Sequence, residues 1–209
     1  MPASTLLISS TVVIIGYLCG SIASAVLVCR LMGLPDPRGG GSGNPGATNV
    51  LRLYGKKTAM VVLGGDVLKG LLPVAAATGL GLPDAVIALT GLAAFVGHCY
   101  PVFFGFRGGK GVATLIGVLF GTWWLLGALF VISWLIAAAA SRYSSLSALT
   151  ATALTPLYAW LFLPDVAYTV CFSLMALLLF WRHRENIRRL LAGEESRIGG
   201  KAKEPGGGK

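Results

Sequence analysis

The chain contains little charge for its length. Of its 209 residues, 12% are charged and 55% are hydrophobic, and the mean hydropathy is +0.76. Soluble domains carry about a quarter charged residues, so a soluble globular domain is excluded. Apolar runs recur along the whole chain, which also excludes a soluble domain with one anchor. We therefore predict an all-α polytopic membrane protein with a single domain over 1–198 and a disordered tail over 199–209.

Cysteine and histidine are also scarce, and several cofactor signatures are missing. None of the four cysteines forms a CxxC pair, so the sequence indicates neither a zinc site nor a disulfide framework. A Walker loop needs Ser or Thr after its lysine, whereas Lys110 is followed by Gly111. We expect no metal and no cofactor. The first apolar run lacks a basic segment before it, so we expect a retained span and no signal peptide.

Basic residues outnumber acidic ones by 17 to 8, and most lie in loops. Cytoplasmic loops of membrane proteins are rich in Lys and Arg, so the charge needs no nucleic-acid partner. This rule places the loops 32–58 and 105–111 and the C-terminus in the cytoplasm, with the N-terminus outside. If the apolar run 112–140 folds back near Gly121-Thr122-Trp123-Trp124, the chain has seven transmembrane helices. If 146–181 is one broken span, it has five.

Two glycine-rich loops fall on the predicted cytoplasmic face: RGGGSGNPGATNVLR at 38–52 and RGGKGVAT at 107–114. Glycine lets successive N–H groups converge on an anion, and a helix that begins just afterwards adds its positive dipole end. Arg52 offers a planar fork for phosphate and Lys110 a point charge. A plainer interpretation is two tight membrane turns. The predicted phosphate-binding residues are Gly41, Gly43, Asn44, Gly46, Thr48, Asn49, Gly108, Gly109, Gly111 and Thr114.

A third polar segment, RHRENIRRLLAGEE, spans 182–195. His183 and Asn186 would share one helix face, and neighbouring cations would keep His183 neutral. His98, at the inner end of a span, reads more simply as a helix-end structural residue. Asp66 and Lys69 lie inside a span, where an ion pair and a functional role both stay open. Ser42 suits a ligand better than a nucleophile, because no acid–base partner is evident.

Together, the segments 41–52, 97–114 and 183–195 resemble the three signature motifs of the bacterial membrane acyl-phosphate:glycerol-3-phosphate acyltransferases, the PlsY family. The segment GGDVLKG resembles the second span of that family. The chain departs from the family after 193, where Glu194-Glu195-Ser196-Arg197 replaces further basic residues. The positions that match the functional residues of the family are Ser42, Arg52, Lys110, His183 and Asn186.

The resemblance implies a seven-helix enzyme of the bacterial inner membrane whose active site faces the cytoplasm. It implies transfer of an acyl group from acyl phosphate to the sn-1 hydroxyl of glycerol 3-phosphate, which yields lysophosphatidic acid and phosphate. The expected partners are these two substrates and membrane lipid, with no nucleic acid and no obligatory protein partner.

Three alternatives remain open from the sequence. The acceptor proton is expected to leave to a substrate phosphate, but His183 as a general base is the competing hypothesis. A transporter of a phosphorylated metabolite is a different class, although transporters place binding groups near the midplane in pseudo-symmetric halves. A non-enzymatic assembly factor would not need two glycine cradles.

Overall fold

The computed structural model describes residues 3–199. In this range the chain forms helices joined by loops and turns, without strands. The prediction of an all-α protein is therefore confirmed for the described residues. Beyond Gly199, the predicted tail lies outside them. The α-helices are α1 Ala3–Gly20, α2 Ser24–Leu31, α3 Ala47–Tyr54, α4 Lys56–Gly79, α5 Asp84–Cys99, α6 Val112–Thr122, α7 Trp124–Ser141, α8 Ser144–Phe162, α9 Val166–Arg182 and α10 Arg184–Leu191.

Three helical stretches are long and apolar enough to cross a membrane: α4, α7 and the stretch from α5 to Phe104. Two bent pairs bring the number to five. The helix α1 meets α2 at 49°, and α9 meets α10 at 59°. The helix α6 has 11 residues, which gives about 16 Å of length at 1.5 Å per residue, short of a hydrocarbon core.

The predicted interruption of the apolar run 112–140 is present. The helix α6 ends at Thr122, and Trp123 takes an extended conformation with φ −162° before α7 begins. Its aromatic ring lies edge-on to Phe162 of α8, with ring centroids 6.3 Å apart. The run is therefore two helices, whereas the number of membrane crossings stays a prediction.

Small residues let the helices approach closely. A Cβ added at Gly117 of α6 would lie 2.0 Å from the carbonyl oxygen of Val67 in α4, and one at Gly20 of α1 would lie 2.0 Å from that of Ala94 in α5. Helices in membranes associate through such backbone approach because lipid supplies no hydrophobic force between them. Both contacts require glycine.

The core lies among α4 to α9, around large buried side chains such as Phe95, Phe130 and Phe172. A second, smaller cluster joins the short α3 to the bundle, where Val50 packs with Ala25 of α2 and Val62 of α4. This contact fixes α3 and the glycine-rich loop before it. The four cysteines are free thiols, three of them buried.

Candidate anion-binding site

An arginine attaches the first glycine-rich loop to the turn before the second. The carboxylate of Asp36 accepts hydrogen bonds from Arg38 Nε and Nη2, the latter at 2.7 Å, and these bonds lower the pKa of Asp36. Arg38 Nη1 also donates to the carbonyl oxygen of Phe104, in the turn before the second loop, at 3.1 Å. Arg38 is therefore held between the first loop and this turn.

Asn49 closes the first loop from inside. Its Oδ1 accepts from Ser42 N at 2.9 Å, and its Nδ2 donates to the carbonyl oxygens of Pro37 and Gly40 at 3.0 and 3.1 Å. The residue is 1% exposed, and Gly41, with φ +57°, has no room for a Cβ beside it. The loop backbone uses the amide of Asn49 in this arrangement, and a contact between Asn49 and phosphate stays a prediction. Asn49 holds the loop that exposes Ser42.

Helices begin inside both glycine-rich segments, before the residue at which each segment was predicted to end. Gly46 precedes α3, whose first residue is Ala47. Gly111 precedes α6 and takes φ +92°, a left-handed conformation that favours glycine. Two helix N-termini therefore accompany the loops, and free N–H groups at such termini favour anions.

The second loop is held by residues on both sides. Arg182 donates to the carbonyl oxygens of Gly108 and Gly109 at 2.6 and 3.1 Å, and its guanidinium lies 5.4 Å from the ring centroid of Tyr100. Gly109 N donates to the carbonyl oxygen of His98 at 3.2 Å. The carbonyl oxygen of His98 occupies the N–H of Gly109 in this arrangement, and a contact between Gly109 and phosphate stays a prediction.

Thr114 is packed inside the bundle. It is fully buried, and its carbonyl oxygen and Cγ2 lie close to where a Cβ on Gly70 of α4 would be. The backbone and methyl group of Thr114 therefore contribute to the packing between α4 and α6, and its role as a phosphate ligand stays a prediction.

Lys110 links the second loop to the third polar segment. Its Nζ donates to Asn186 Oδ1, and Asn186 Nδ2 donates in turn to Glu195 Oε1 at 2.7 Å. Asn186 is buried and both ends of its amide are used. Burial lowers the pKa of Lys110 to about 8, because a cation is less stable away from water.

Glu195, which the sequence patterns do not single out, continues this chain of polar contacts. Its side chain is 5% exposed and accepts from Asn186, from Ser145 Oγ at 2.8 Å and from Arg189 Nε at 2.7 Å. These bonds lower the pKa of Glu195 and hold it ionised. In the sequence, Glu195 belongs to the segment that departs from the family after 193. The signal that could have identified it is an acidic residue just after a strongly basic helix.

Arg52 and His183 are the two remaining residues of the five that match the functional positions of the family. Arg52 is exposed, and its Nη2 donates to Ser196 Oγ at 2.6 Å, one residue beyond Glu195. His183 lies beyond the end of α9 and is buried, with Nδ1 2.9 Å from the carbonyl oxygen of Leu179. A carbonyl only accepts, so the proton is on Nδ1 and Nε2 is an acceptor.

The neutral state of His183 has a different main cause from the one we expected. Burial, more than the charges of Lys110 and Arg182, lowers the pKa of His183 to about 4. The hydrogen bond to Leu179 works in the opposite direction. His183 is therefore a neutral hydrogen-bonding group at physiological pH.

A cavity of about 950 Å³ lies between α2 with the start of the first loop and the residues 103–107. Its lining includes Arg30, Arg38, Arg107 and Phe103, and none of the five motif residues lines it. The cavity and the Lys110–Asn186–Glu195 chain are thus different parts of the same face.

The fold and these contacts together define an α-helical membrane protein in which cationic side chains lie beside two glycine-rich loops. Residues 10–193 match the family model described as glycerol-3-phosphate acyltransferase. The chain belongs to this family, the PlsY acyltransferases, as the sequence motifs indicate.

Named relatives and solved structures agree with this assignment. The glycerol-3-phosphate acyltransferase of Thioalkalivibrio sulfidiphilus is 56% identical over 198 residues, 95% of this chain and 98% of that protein. That of Hydrogenovibrio crunogenus is 56% identical over 191 residues, 91% of this chain and 90% of that protein. A crystal structure of PlsY, an integral membrane glycerol 3-phosphate acyltransferase, in its glycerol 3-phosphate form matches with a TM-score of 0.85 and 42% identity. The match covers 90% of this chain and 94% of the crystallised one. Its lysophosphatidic acid form matches with a TM-score of 0.83, 41% identity and the same coverage.

The contacts of Glu195 generate a direct prediction. Glu195→Gln removes the charge that orients Asn186 and thus Lys110. Hydrogen bonds to a charged group are worth about 1.5–3 kcal/mol, so we expect kcat/KM for acyl transfer to fall roughly tenfold to a hundredfold. Glu194→Gln, at the exposed neighbouring position, is the matched control and should behave as wild type. Equal activity of the two variants would contradict the role assigned to Glu195.

Proposed function

We propose that this protein transfers a fatty acyl group from acyl phosphate to the sn-1 hydroxyl of glycerol 3-phosphate, which yields lysophosphatidic acid and phosphate. The names of its relatives support glycerol 3-phosphate as the acceptor. The two PlsY crystal forms, one with glycerol 3-phosphate and one with lysophosphatidic acid, support the acceptor and the product. Acyl phosphate as the donor comes from the motif resemblance.

The proposed setting is the bacterial inner membrane, with seven spans, the N-terminus outside and the active site in the cytoplasm. The break at Trp123 supports the larger number of spans. Reporter fusions near Gly121 and Arg142 test it. A fusion near Gly121 that reports the cytoplasmic side would exclude the seven-span topology.

The observation that carries the proposal is the contact between Lys110 and Asn186, which brings two motifs 76 positions apart into one site. An ammonium group has three donors, so with one given to Asn186 two remain for a phosphate. Arg52 adds a guanidinium that can bind two phosphate oxygens at once. In the proposed arrangement the loops hold the phosphate of the donor, while Ser42, Arg52, Lys110, His183 and Asn186 position glycerol 3-phosphate.

The reaction is a substitution at the acyl carbonyl. The sn-1 oxygen of the acceptor forms a bond to the carbonyl carbon, and the bond from that carbon to the phosphate oxygen breaks. The electron pair leaves with inorganic phosphate, and the acceptor hydroxyl proton moves to a phosphate oxygen of a substrate. Positioning and anion stabilisation then supply most of the rate increase.

His183 as a general base is the competing mechanism. Its Nε2 is free to accept a hydrogen bond from the acceptor hydroxyl, which fits positioning. Its pKa of about 4 makes it a weak base, and catalytic bases work best with a pKa near the working pH. A substrate phosphate, with a second pKa of about 6, is better matched.

A transporter is not favoured by any specific observation. Asp66 and Lys69, the intramembrane charges that suggested it, pair with each other at 2.8 Å.

The first test is acyl transfer by purified protein, with acyl phosphate and labelled glycerol 3-phosphate. We expect lysophosphatidic acid from acyl phosphate and none from acyl coenzyme A. Arg52→Ala and Lys110→Ala should lose activity, because each removes a phosphate-binding cation. Lys57→Ala removes a charge from an exposed position in the first turn of α4 and should retain activity. If no lysophosphatidic acid formed, and Arg52→Ala and Lys110→Ala behaved as wild type, the proposed acyltransferase function would be refuted.

The pKa of Lys110 predicts that the binding of glycerol 3-phosphate weakens at alkaline pH. The side chain is charged below pH 8 and neutral above it, so phosphate binding is strong below pH 8 and weakens as the pH rises through this value. KM for glycerol 3-phosphate should therefore increase above about pH 8. In Lys110→Arg the cation persists at all these pH values, and this increase should vanish even where turnover is lower. If KM still increased above about pH 8 in Lys110→Arg, a group other than Lys110 would be responsible for the increase.

The pH below which kcat falls distinguishes the two candidate proton acceptors. If a substrate phosphate takes the proton, kcat should fall below about pH 6 in wild type and in His183→Gln alike. If His183 is the base, the limit should lie near pH 4 in wild type and disappear in His183→Gln. The pH dependence of kcat decides between them, whatever the overall activity of the variant.

A further inference from the structure

A buried cluster of three ionisable residues, Asp66 and Lys69 of α4 and His98 of α5, lies behind the second glycine-rich loop. They are 2%, 7% and 5% exposed. Lys69 Nζ lies 2.8 Å from Asp66 Oδ1 and donates to the carbonyl oxygen of Ile22 at 2.7 Å, where the chain breaks between α1 and α2. Charged residues inside a membrane helix are costly, and the proposed reaction does not use these three.

The imidazole of His98 lies between Asp66 and the loop. On one side, Nδ1 is 3.5 Å from Asp66 Oδ1. On the other side, Nε2 is in contact with Gly109, where an added Cβ would lie 2.3 Å from Nε2. The backbone of His98 also accepts the N–H of Gly109 at 3.2 Å. Ring and backbone together fill the space behind Gly109.

Gly109 directly precedes Lys110, so the position of the ring fixes the backbone that carries the lysine. The carboxylate of Asp66, 3.5 Å from Nδ1, favours the proton on that nitrogen by its charge and thereby favours this orientation of the ring. Arg182 holds the loop from the opposite side through the carbonyl oxygens of Gly108 and Gly109. The second loop is thus held between Arg182 and the imidazole of His98.

We propose that His98, oriented by Asp66, is a positioning residue for the acyl transfer and acts through Gly109 on Lys110. Lys69 neutralises Asp66 and ties it to the break between α1 and α2. The inference rests on the proposed function, in which Lys110 binds a substrate phosphate. A misplacement of about 1 Å at such a site can cost a hundredfold in rate.

The decisive experiment is a suppressor test at the contact between Gly109 and His98. Gly109→Ala places a methyl group against the imidazole, so KM for glycerol 3-phosphate should rise roughly tenfold to a hundredfold. Adding His98→Ala removes the obstructing ring, and the double variant should have a lower KM than Gly109→Ala alone. His98→Ala by itself should raise KM, because it leaves the loop without support.

Gly108→Ala is the matched control. Its Cβ would lie 2.0 and 2.7 Å from the backbone oxygens of His98 and Cys99, which a shorter side chain does not move. Adding His98→Ala to Gly108→Ala should therefore give no recovery. A wild-type KM in His98→Ala, or equal recovery in both double variants, would overturn the proposal. Failure of wild type to make lysophosphatidic acid would instead refute the proposed function.

A second pair of variants covers the case in which His98→Ala does not fold. Asp66→Asn with Lys69→Met removes both charges but keeps an oxygen that can accept from Nδ1–H. Asp66→Leu with Lys69→Met removes that oxygen as well. We expect KM near wild type in the first and about tenfold higher in the second. Equal KM in both folded proteins would limit Asp66 to a structural ion pair and contradict its orienting role.

Discussion

The hydrogen bond from Lys110 to Asn186 is the interaction on which the site depends. It joins the second glycine-rich loop to the helix α10, and Glu195 continues the chain to α8 through Ser145. A lysine side chain alone is flexible, and a cation that binds phosphate productively must be held in place. The asparagine amide does this because its oxygen faces the cation and its nitrogen faces the carboxylate.

The membrane explains why so much structure supports one lysine. Helices in lipid approach through glycine, as α6 does against α4 at Gly117, so the ends of the helices are fixed by close backbone contact. The loops between them then have little freedom. Two arginines restrict the loops further. Arg182 donates to a backbone oxygen of the second loop, and Arg38 donates to one in the turn before it. Both cations could be read as ligands from the sequence, but in the structure they stabilise the loop backbone.

Much of this could be predicted from the sequence, and particular residues show where prediction stopped. Glycine followed by an apolar run located the start of α6, and the break near Trp123 could be predicted from a run too long for one span. The short polar helix α3 was not separated from the loop 32–58, because it has no apolar run. Sequence spacing shows which residues share a loop, but it does not show where each amide group points. The sequence therefore predicts phosphate contacts for Asn49 and Gly109, whereas the side-chain amide of Asn49 and the N–H of Gly109 form hydrogen bonds with the protein backbone. Glu195 was missed because its partner Ser145 is 50 positions away.

The central claim, that Lys110 and Asn186 act as one unit on a substrate phosphate, is tested most directly by a double-mutant cycle. Lys110→Ala, Asn186→Ala and the double variant are compared by kcat/KM for glycerol 3-phosphate. We predict that the double variant loses about as much activity as the worse single variant, because either change abolishes the same arrangement. Losses that multiply would mean that the two residues act independently and would contradict the account.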